Sequence, residues 1–323
     1  MEQALTERDG LLAIIIPSFN EENCVRETCE RVRSIMLAES ISYKMIFVDD
    51  GSSDRTFAIL KELSEAGDDV IGVRFSRNFG KESAIYAGLA KAYDIDADCA
   101  VVIDCDLQHP PEKMVDMYRL WQNGYEVIEG VKTERGTESA LHKLFAKMFY
   151  SFMSGATKID MQRASDYKLL DRKAIVTLLN IKEKNSFFRA LSSWIGFKST
   201  QIEYEVQPRE HGESKWSIKS LIKYAISNIA AFTSAPMQVI TVLGVLVCLT
   251  AVVFSAISLI QKILGKSLEG FTTVIILQLF TSSMIMISIG IIGYYISKIY
   301  DEVKNRPKYI ISEVCGEPDD DDE

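Results

Sequence analysis

The chain carries two kinds of hydrophobic pattern. "LLAIIIP" (11–17), "KMIFVDD" (44–50), "DVIGVRF" (69–75) and "DCAVVID" (98–104) are short apolar runs rich in β-formers. Such runs predict strands buried on both faces. Each of the first three leads into a helical stretch opened by a cap-like residue: Asn20 or Glu21 before 22–37, Ser53 or Asp54 before 55–66, Gly80 and Lys81 before 82–93. Strands that alternate with helices predict a parallel sheet with crossovers. Ligands of such sheets gather at the carboxyl ends of the strands. Asp49-Asp50-Gly51-Ser52-Ser53, Arg77-Asn78-Phe79-Gly80 and Asp104-Cys105-Asp106 all fall there. They are expected to converge on one crevice.

The second pattern lies near the C-terminus. Between Lys223 and Lys262 there are 38 residues without Asp, Glu, Lys or Arg, and between Glu269 and Lys298 another 28. A membrane span needs about 20 mostly apolar residues, so spans are expected near 236–260 and 271–296. Both stretches are apolar all round, where a core helix of a soluble domain keeps one polar face. Neither holds an Asp, Glu, Lys, Arg or His. They are expected to be anchors, not a charged transport path. Lys215, Lys219 and Lys223 precede the first, and Lys298, Lys304, Arg306 and Lys308 follow the second. The positive-inside rule then puts both termini and the soluble part in the cytoplasm, on a multi-pass protein of the cell membrane.

Composition narrows the field. The formal charge of the 323 residues is −9, but residues 311–323 hold seven carboxylates and no Lys or Arg, which leaves −2 for the rest. The end "PDDDDE" is expected to be a solvated, disordered tail. Nothing in this balance suggests a nucleic-acid partner. Cys24, Cys29, Cys99, Cys105, Cys248 and Cys315 have no C-x-x-C spacing, which predicts reduced thiols and a cytosolic catalytic part. The polar start "MEQALTERDG" shows no cleavable signal peptide. The expected organisation is a catalytic domain over 1–210, an amphipathic surface helix over 211–235, a two-helix anchor over 236–298, and a cytoplasmic segment over 299–323 ending in the acidic tail.

The chemistry sits in "VVIDCDLQHPPE" (101–112). Asp104 closes a buried strand and Asp106 is displaced from it by one residue. Two adjacent carboxylates are costly unless a cation neutralises them. Oxygen ligands of this kind suit Mg²⁺ or Mn²⁺, which keep positions free for substrate phosphates. Pro110-Pro111-Glu112 then opens a helix. His109, His142 and His211 show no ligand spacing.

The ordered motifs "IIIPSFNEE", "FVDDGSSDRT", "SRNFGKESAIYAG" and "DCDLQHPPE" resemble the family 2 glycosyltransferases of nucleotide-sugar-binding, GT-A type α/β fold. The continuation "RGTES", "SDYKLLDRK", "FFRALSSWIGF" and "REHGESKWS", with two C-terminal spans, is similar to their polyisoprenyl-phosphate branch, which includes dolichol-phosphate mannose synthases and bactoprenol glucosyltransferases. The resemblance covers roughly residues 11–310. It implies that Asp50 reads the uracil or guanine, and that Pro17, Asn20 and Glu22 line the nucleotide pocket, with Lys81 among the binding residues. It implies that Asp104, Asp106 and Gln108 hold the metal and diphosphate. Arg135 and Ser139 are placed near the acceptor phosphate, Asp166 near the sugar, and Arg189, Arg209, Ser214 and Lys215 at anion-binding positions. Two lysines depart from the pattern, Lys132 and Lys168, where relatives carry arginine; each offers a point charge in place of a bidentate fork.

The implied reaction is inverting transfer of a sugar, UDP-glucose being the first choice of donor, to a polyisoprenyl (undecaprenyl) phosphate at the cytoplasmic face. GDP-mannose and other UDP-sugars remain alternatives. A lipid phosphate with a second pKa of about 6 scarcely needs a base at neutral pH. Asp166 is therefore expected to orient the acceptor site and its cations, taking up a residual proton only at lower pH. Lys215, Lys219 and Lys223 recur every four residues, as in a helix lying on anionic headgroups. "ALHKLFAKMFYSFM" (140–153) shows a similar face. A processive polysaccharide synthase is disfavoured, because "Q-x-x-R-W" is absent. An inactive sugar-nucleotide sensor or scaffold is disfavoured by the retained Asp104, Asp106, Gln108 and Asp166. The partners expected are a nucleotide sugar, a polyisoprenyl phosphate and the bilayer; a homo-oligomer is left open.

Overall fold

In the computed structural model the residues described are 8–133, 165–183, 187–205, 235–265 and 270–317. They form two compact units, one holding the chain up to Trp216 together with 307–323, the other spanning Ser217–Arg306.

The first unit is built on one eight-stranded sheet. Strands β1 (Leu12–Ser18), β2 (Tyr43–Asp49), β3 (Val70–Phe75) and β4 (Cys99–Val102) fall close to the expected ranges. They pair in parallel in the order β4-β1-β2-β3. Helices α1 (Val25–Ala38), α2 (Thr56–Ala66) and α3 (Lys81–Asp94) make the crossovers, and α4 (Glu112–Gln122) follows β4. Side chains alternate across a strand, so each strand serves two layers. Leu12, Ile14 and Ile16 join one buried cluster with Val25, Cys29, Val32 and Met36 of α1, Phe57 and Leu60 of α2, and Met114 and Met117 of α4. Ile15 points to the opposite face, against α3. A Cβ on Gly88 would lie 2.3 Å from Ile15 Cγ2, so the helix approaches the strand at a distance that only glycine allows.

The flanks of the sheet bring in antiparallel pairs. β5 (Val127–Lys132), β6 (Lys168–Asp171) and β7 (Ser199–Tyr204), with helices α5 (Arg172–Asn180) and α6 (Phe188–Trp194), complete one side in the order β7-β5-β6-β4. There β6 is antiparallel to both β4 and β5, while β7 runs parallel to β5. Asp171 caps α5 by accepting a hydrogen bond from Lys173 N–H. β6 runs antiparallel to β4 with Val102 opposite Lys168. Two residues beyond that pair in each direction lie Asp104 and Asp166. Register alone brings these two carboxylates to the same sheet end. β4 stops at Val102, short of the expected Asp104, because the Asp104 N–H turns to His109 Nδ1 at 3.2 Å and leaves the ladder.

The other flank differs from the expectation of a separate C-terminal segment. Residues 311–315 form a strand, β8 (Ile311–Cys315), antiparallel to β3, with Val73 opposite Val314. Tyr309 stacks on Phe75 at 5.1 Å, Glu313 pairs with Lys61, and Ile310 C=O accepts from Ser76 N–H. The strand covers an edge that β3 would otherwise expose. An acidic composition hid it, because Glu313 and Glu317 are spent on Lys61 and Lys91. Residues 318–323 of the acidic tail lie outside the described residues.

The second unit holds helices α7 (Ala235–Ile263) and α8 (Phe271–Val303). Met237–Gln261 and Leu277–Val303, 25 and 27 residues, are long and apolar enough to cross a membrane. Leu246, Leu249, Phe254, Leu279, Ile285 and Ile292 are all exposed, and a soluble surface rarely tolerates that much contiguous apolar area.

Candidate active site

Three strand-end loops are laced together by side chains. Asn20 adopts φ 54°, a left-handed conformation that asparagine tolerates. Its N–H donates to Ser52 Oγ, and its Oδ1 accepts from Ser53 N–H, both at 2.9 Å. Glu21 N–H donates to Thr56 Oγ1 at 2.9 Å, and Glu22 Oε2 accepts from Arg55 N–H at 3.0 Å. Pro17 lies in β1 opposite Val48. Asp50 accepts from Phe79 N–H at 2.6 Å and Gly80 N–H at 2.9 Å, one on each oxygen. Burial pushes its carboxyl up while those two amides oppose the shift. Gly51, at φ 70°, lets this turn approach the Arg77 backbone; a Cβ there would meet Arg77 C at 2.5 Å. Asn20, Glu22 and Asp50 thus frame the crevice mouth through backbone contacts.

Deeper in, four charges alternate. Lys81 Nζ lies 2.6 Å from Asp104 Oδ1 and 3.0 Å from Asp166 Oδ2. Arg189 grips Asp166 with a fork, Nε at 2.6 Å and Nη2 at 2.8 Å. Burial works against the charges of Lys81, Asp104 and Asp166, but the partners win. For Asp166, Lys81 and then Arg189 outweigh burial and hold the carboxyl well below its usual range. For Asp104, burial is opposed by Lys81 and then His109, which together lower the carboxyl. The two carboxylates in turn hold the Lys81 ammonium far above an ordinary lysine. Paired with these two cations, Asp166 is held as a carboxylate.

Neighbouring groups close the cluster. Glu82, beside Lys81 in the first turn of α3, accepts from Phe188 N–H at 2.8 Å and so ties α3 to α6. Burial, then repulsion from Asp166, push its carboxyl up to about 7. No local signal marks this contact, since a glutamate in a first turn is ordinary. His109 stacks on Tyr167 at 4.8 Å; burial lowers its pKa, and Nδ1 accepts from Asp104 N–H, so the neutral ring carries its proton on Nε2. Asp106 Oδ1 accepts from Gln108 N–H at 3.2 Å across Leu107, which sits at φ 56°. Left-handed leucine is uncommon, and such residues cluster at functional sites.

The two departing lysines separate. Lys132 ends β5 close enough for burial, then Arg189, to lower its pKa. Lys168 is 0% exposed and lies beneath α6, out of reach of any phosphate in the crevice. Arg135, Ser139, Arg209, Ser214 and Lys215 lie outside the described residues, as do the 140–153 face and the Lys215-Lys219-Lys223 face.

Among the described residues no group of three or more His, Cys, Asp or Glu is arranged to hold a metal. The donor set of Asp104 and Asp106 nevertheless fits a hard divalent ion that completes its shell with diphosphate oxygens and water. Gln108 enters this turn through its backbone N–H.

The fold is that of a GT-A-like α/β domain with a mostly parallel sheet, and its carboxylates and cations gather at the strand ends. The chain belongs to glycosyl transferase family 2, whose model matches residues 13–175. It is 39% identical over 306 residues to a Bacillus subtilis (strain 168) protein described as uncharacterized glycosyltransferase YkcC, with 94% of each chain covered. It is 31% identical over 303 residues to the bactoprenol glucosyl transferase of Shigella phage SfII, covering 93% of this chain and 97% of that one. A solved glucosyl-3-phosphoglycerate synthase from Mycobacterium tuberculosis, in complex with Mn²⁺ and UDP-glucose, is 18% identical and covers 68% of this chain and 77% of that one, at a TM-score of 0.47.

Proposed function

We propose that this glycosyltransferase moves a sugar, first of all glucose from UDP-glucose, to a polyisoprenyl phosphate at the cytoplasmic face of a membrane, with inversion. The observation that carries this reading is Lys81, whose ammonium touches both Asp104 and Asp166. One cation thereby joins the carboxylate expected at the leaving diphosphate to the one expected at the acceptor. The acceptor phosphate oxygen attacks the anomeric carbon as the bond to the diphosphate breaks on the opposite face. With a second pKa of about 6 the acceptor is largely ionised at neutral pH. The protein then has to hold two anions in line rather than remove a proton. Lys81, Arg189 and Lys132 supply positive charge, and Asp166 fixes the first two in place. Asp104 and Asp106 would hold the divalent ion, which when bound neutralises charge developing on the diphosphate.

The test is a donor panel with undecaprenyl phosphate and Mg²⁺ or Mn²⁺. The expected result is lipid-dependent release of UDP from UDP-glucose, with smaller release from GDP-mannose and other UDP-sugars. Nucleotide release that is independent of lipid for every donor would overturn the acceptor assignment.

The chain's path also supports a membrane topology. The first unit holds residues on both sides of α7 and α8, and β8 pairs with β3. Both flanks of the apolar pair therefore return to one folded unit, which supports a hairpin with its connection on the far side of the bilayer. The flanking lysines favour the cytoplasm for that unit. In a variant lacking Cys248 and Cys315, a cysteine at Ser267 is expected to react with an impermeant maleimide in intact cells. A cysteine at Lys304 is expected to react only after permeabilisation. The reverse pattern would invert the topology.

A further inference from the structure

Lys168 is a lysine with no exposed surface, and a buried ammonium is costly unless it is paired and hydrogen-bonded. Its Nζ lies 3.0 Å from Glu129 Oε1, 2.9 Å from Ser192 Oγ, 3.0 Å from Ser193 Oγ and 3.2 Å from the Arg189 carbonyl. Three of these four partners belong to α6. Glu129 stands opposite Lys168 across the β5–β6 ladder, and it also accepts from Ser165 N–H at 3.2 Å and Gln201 Nε2 at 3.4 Å. One end of the pair thus holds the residue before Asp166, and the other holds the backbone of Arg189. Those two residues are the halves of the fork in the crevice.

A buried ion pair adds little net stability compared with apolar residues of the same volume. Its contribution here is geometric. We infer that Lys168 and Glu129 are positioning residues, which set α6 against β6 so that Arg189 meets Asp166 in the crevice. This explains how a lysine serves where a fork is the usual residue. The fork is supplied by Arg189, and position 168 needs a compact cation with several donors that fits beneath a helix. The kinetic arm of the test below rests on the proposed transfer reaction; the exchange arm does not.

The variants are Lys168→Met, which strands Glu129, and Lys168→Met with Glu129→Gln, which removes both charges and keeps an acceptor for Ser165 N–H. The single variant is expected to lose much of its thermal stability. The double variant is expected to unfold within about 3 °C of the parent. In that double variant kcat should still fall by about 10²-fold, the scale of an ångström-sized misplacement, with donor KM unchanged. Amide hydrogen exchange over residues 189–194 should quicken by about 10-fold while β1 and β2 stay protected. In an Arg189→Gln background the same pair of changes should cost kcat almost nothing more. A double variant with parental kcat and parental exchange at 189–194 would overturn the inference. Should the parent transfer no sugar to lipid phosphate, the reaction assignment fails while the exchange measurement still decides this one.

Discussion

Asp166→Asn is expected to lower kcat by about 10²–10³-fold, the scale of removing one preorganised charge from an active site, and to keep that deficit at about pH 9. The reasoning starts from the pairing. Asp166 is buried between Lys81 and Arg189, so its loss frees both cations from the geometry in which they face the crevice. A general-base role gives a different result. At about pH 9 the acceptor phosphate is ionised by itself, a base has nothing left to remove, and the deficit would shrink toward the parent. Asp166 is held below the ordinary carboxyl value of about 3.9. Its contribution to stability is therefore present above that value and is lost only as pH falls through the depressed one. It does not change between neutral pH and pH 9. Glu82 does titrate near 7, partly because Asp166 repels it, so the comparison belongs above about pH 7.5. A deficit below about 3-fold at the alkaline end would remove the orienting role.

Asp106→Asn is expected to cost as much, on the order of 10²–10³-fold in transfer, and excess chelator should do the same to the parent. Asp106 is half-buried, on the turn where its Oδ1 accepts from Gln108 N–H. The substitution keeps an acceptor for that bond, so the fold should hold. Asparagine removes the charge that a hard divalent ion needs. A second measurement does not depend on turnover. Mn²⁺ added with UDP should raise the Tm of the parent, as any ligand of the folded state does, and that rise should vanish in Asp106→Asn. Full transfer in excess chelator, together with a Tm rise from UDP alone, would take the metal out of the reaction. Lys81, already on Asp104, would then be the cation that serves the diphosphate.

The alternation of strands and helices, the two apolar spans and the acidic strand ends were legible in the sequence because each depends on neighbours along the chain. A parallel strand buried on both faces must be apolar throughout, and a carboxylate that closes one is conspicuous. Asp104, Asp106 and Asp166 could be singled out on those grounds and by their motifs. What each carboxylate touches could not. Lys81 sits 23 residues from Asp104 and 85 from Asp166 in sequence, and Arg189 is 23 beyond Asp166. Only the antiparallel insertion of β6 beside β4 closes that distance. Glu82 and Glu129 were hidden for the same reason, their partners being on other elements.

The sequence by itself determined the fold class and the acid positions, because local periodicity and chain chemistry suffice for both. The tertiary structure decided which charged groups meet. Asp166 meets Lys81 and Arg189, Lys168 lies beneath α6 against Glu129, and residues 311–315 form an edge strand on β3. In each case the deciding quantity was distance to a group far away in sequence, and Coulomb energy and desolvation both depend on that distance, not on sequence spacing.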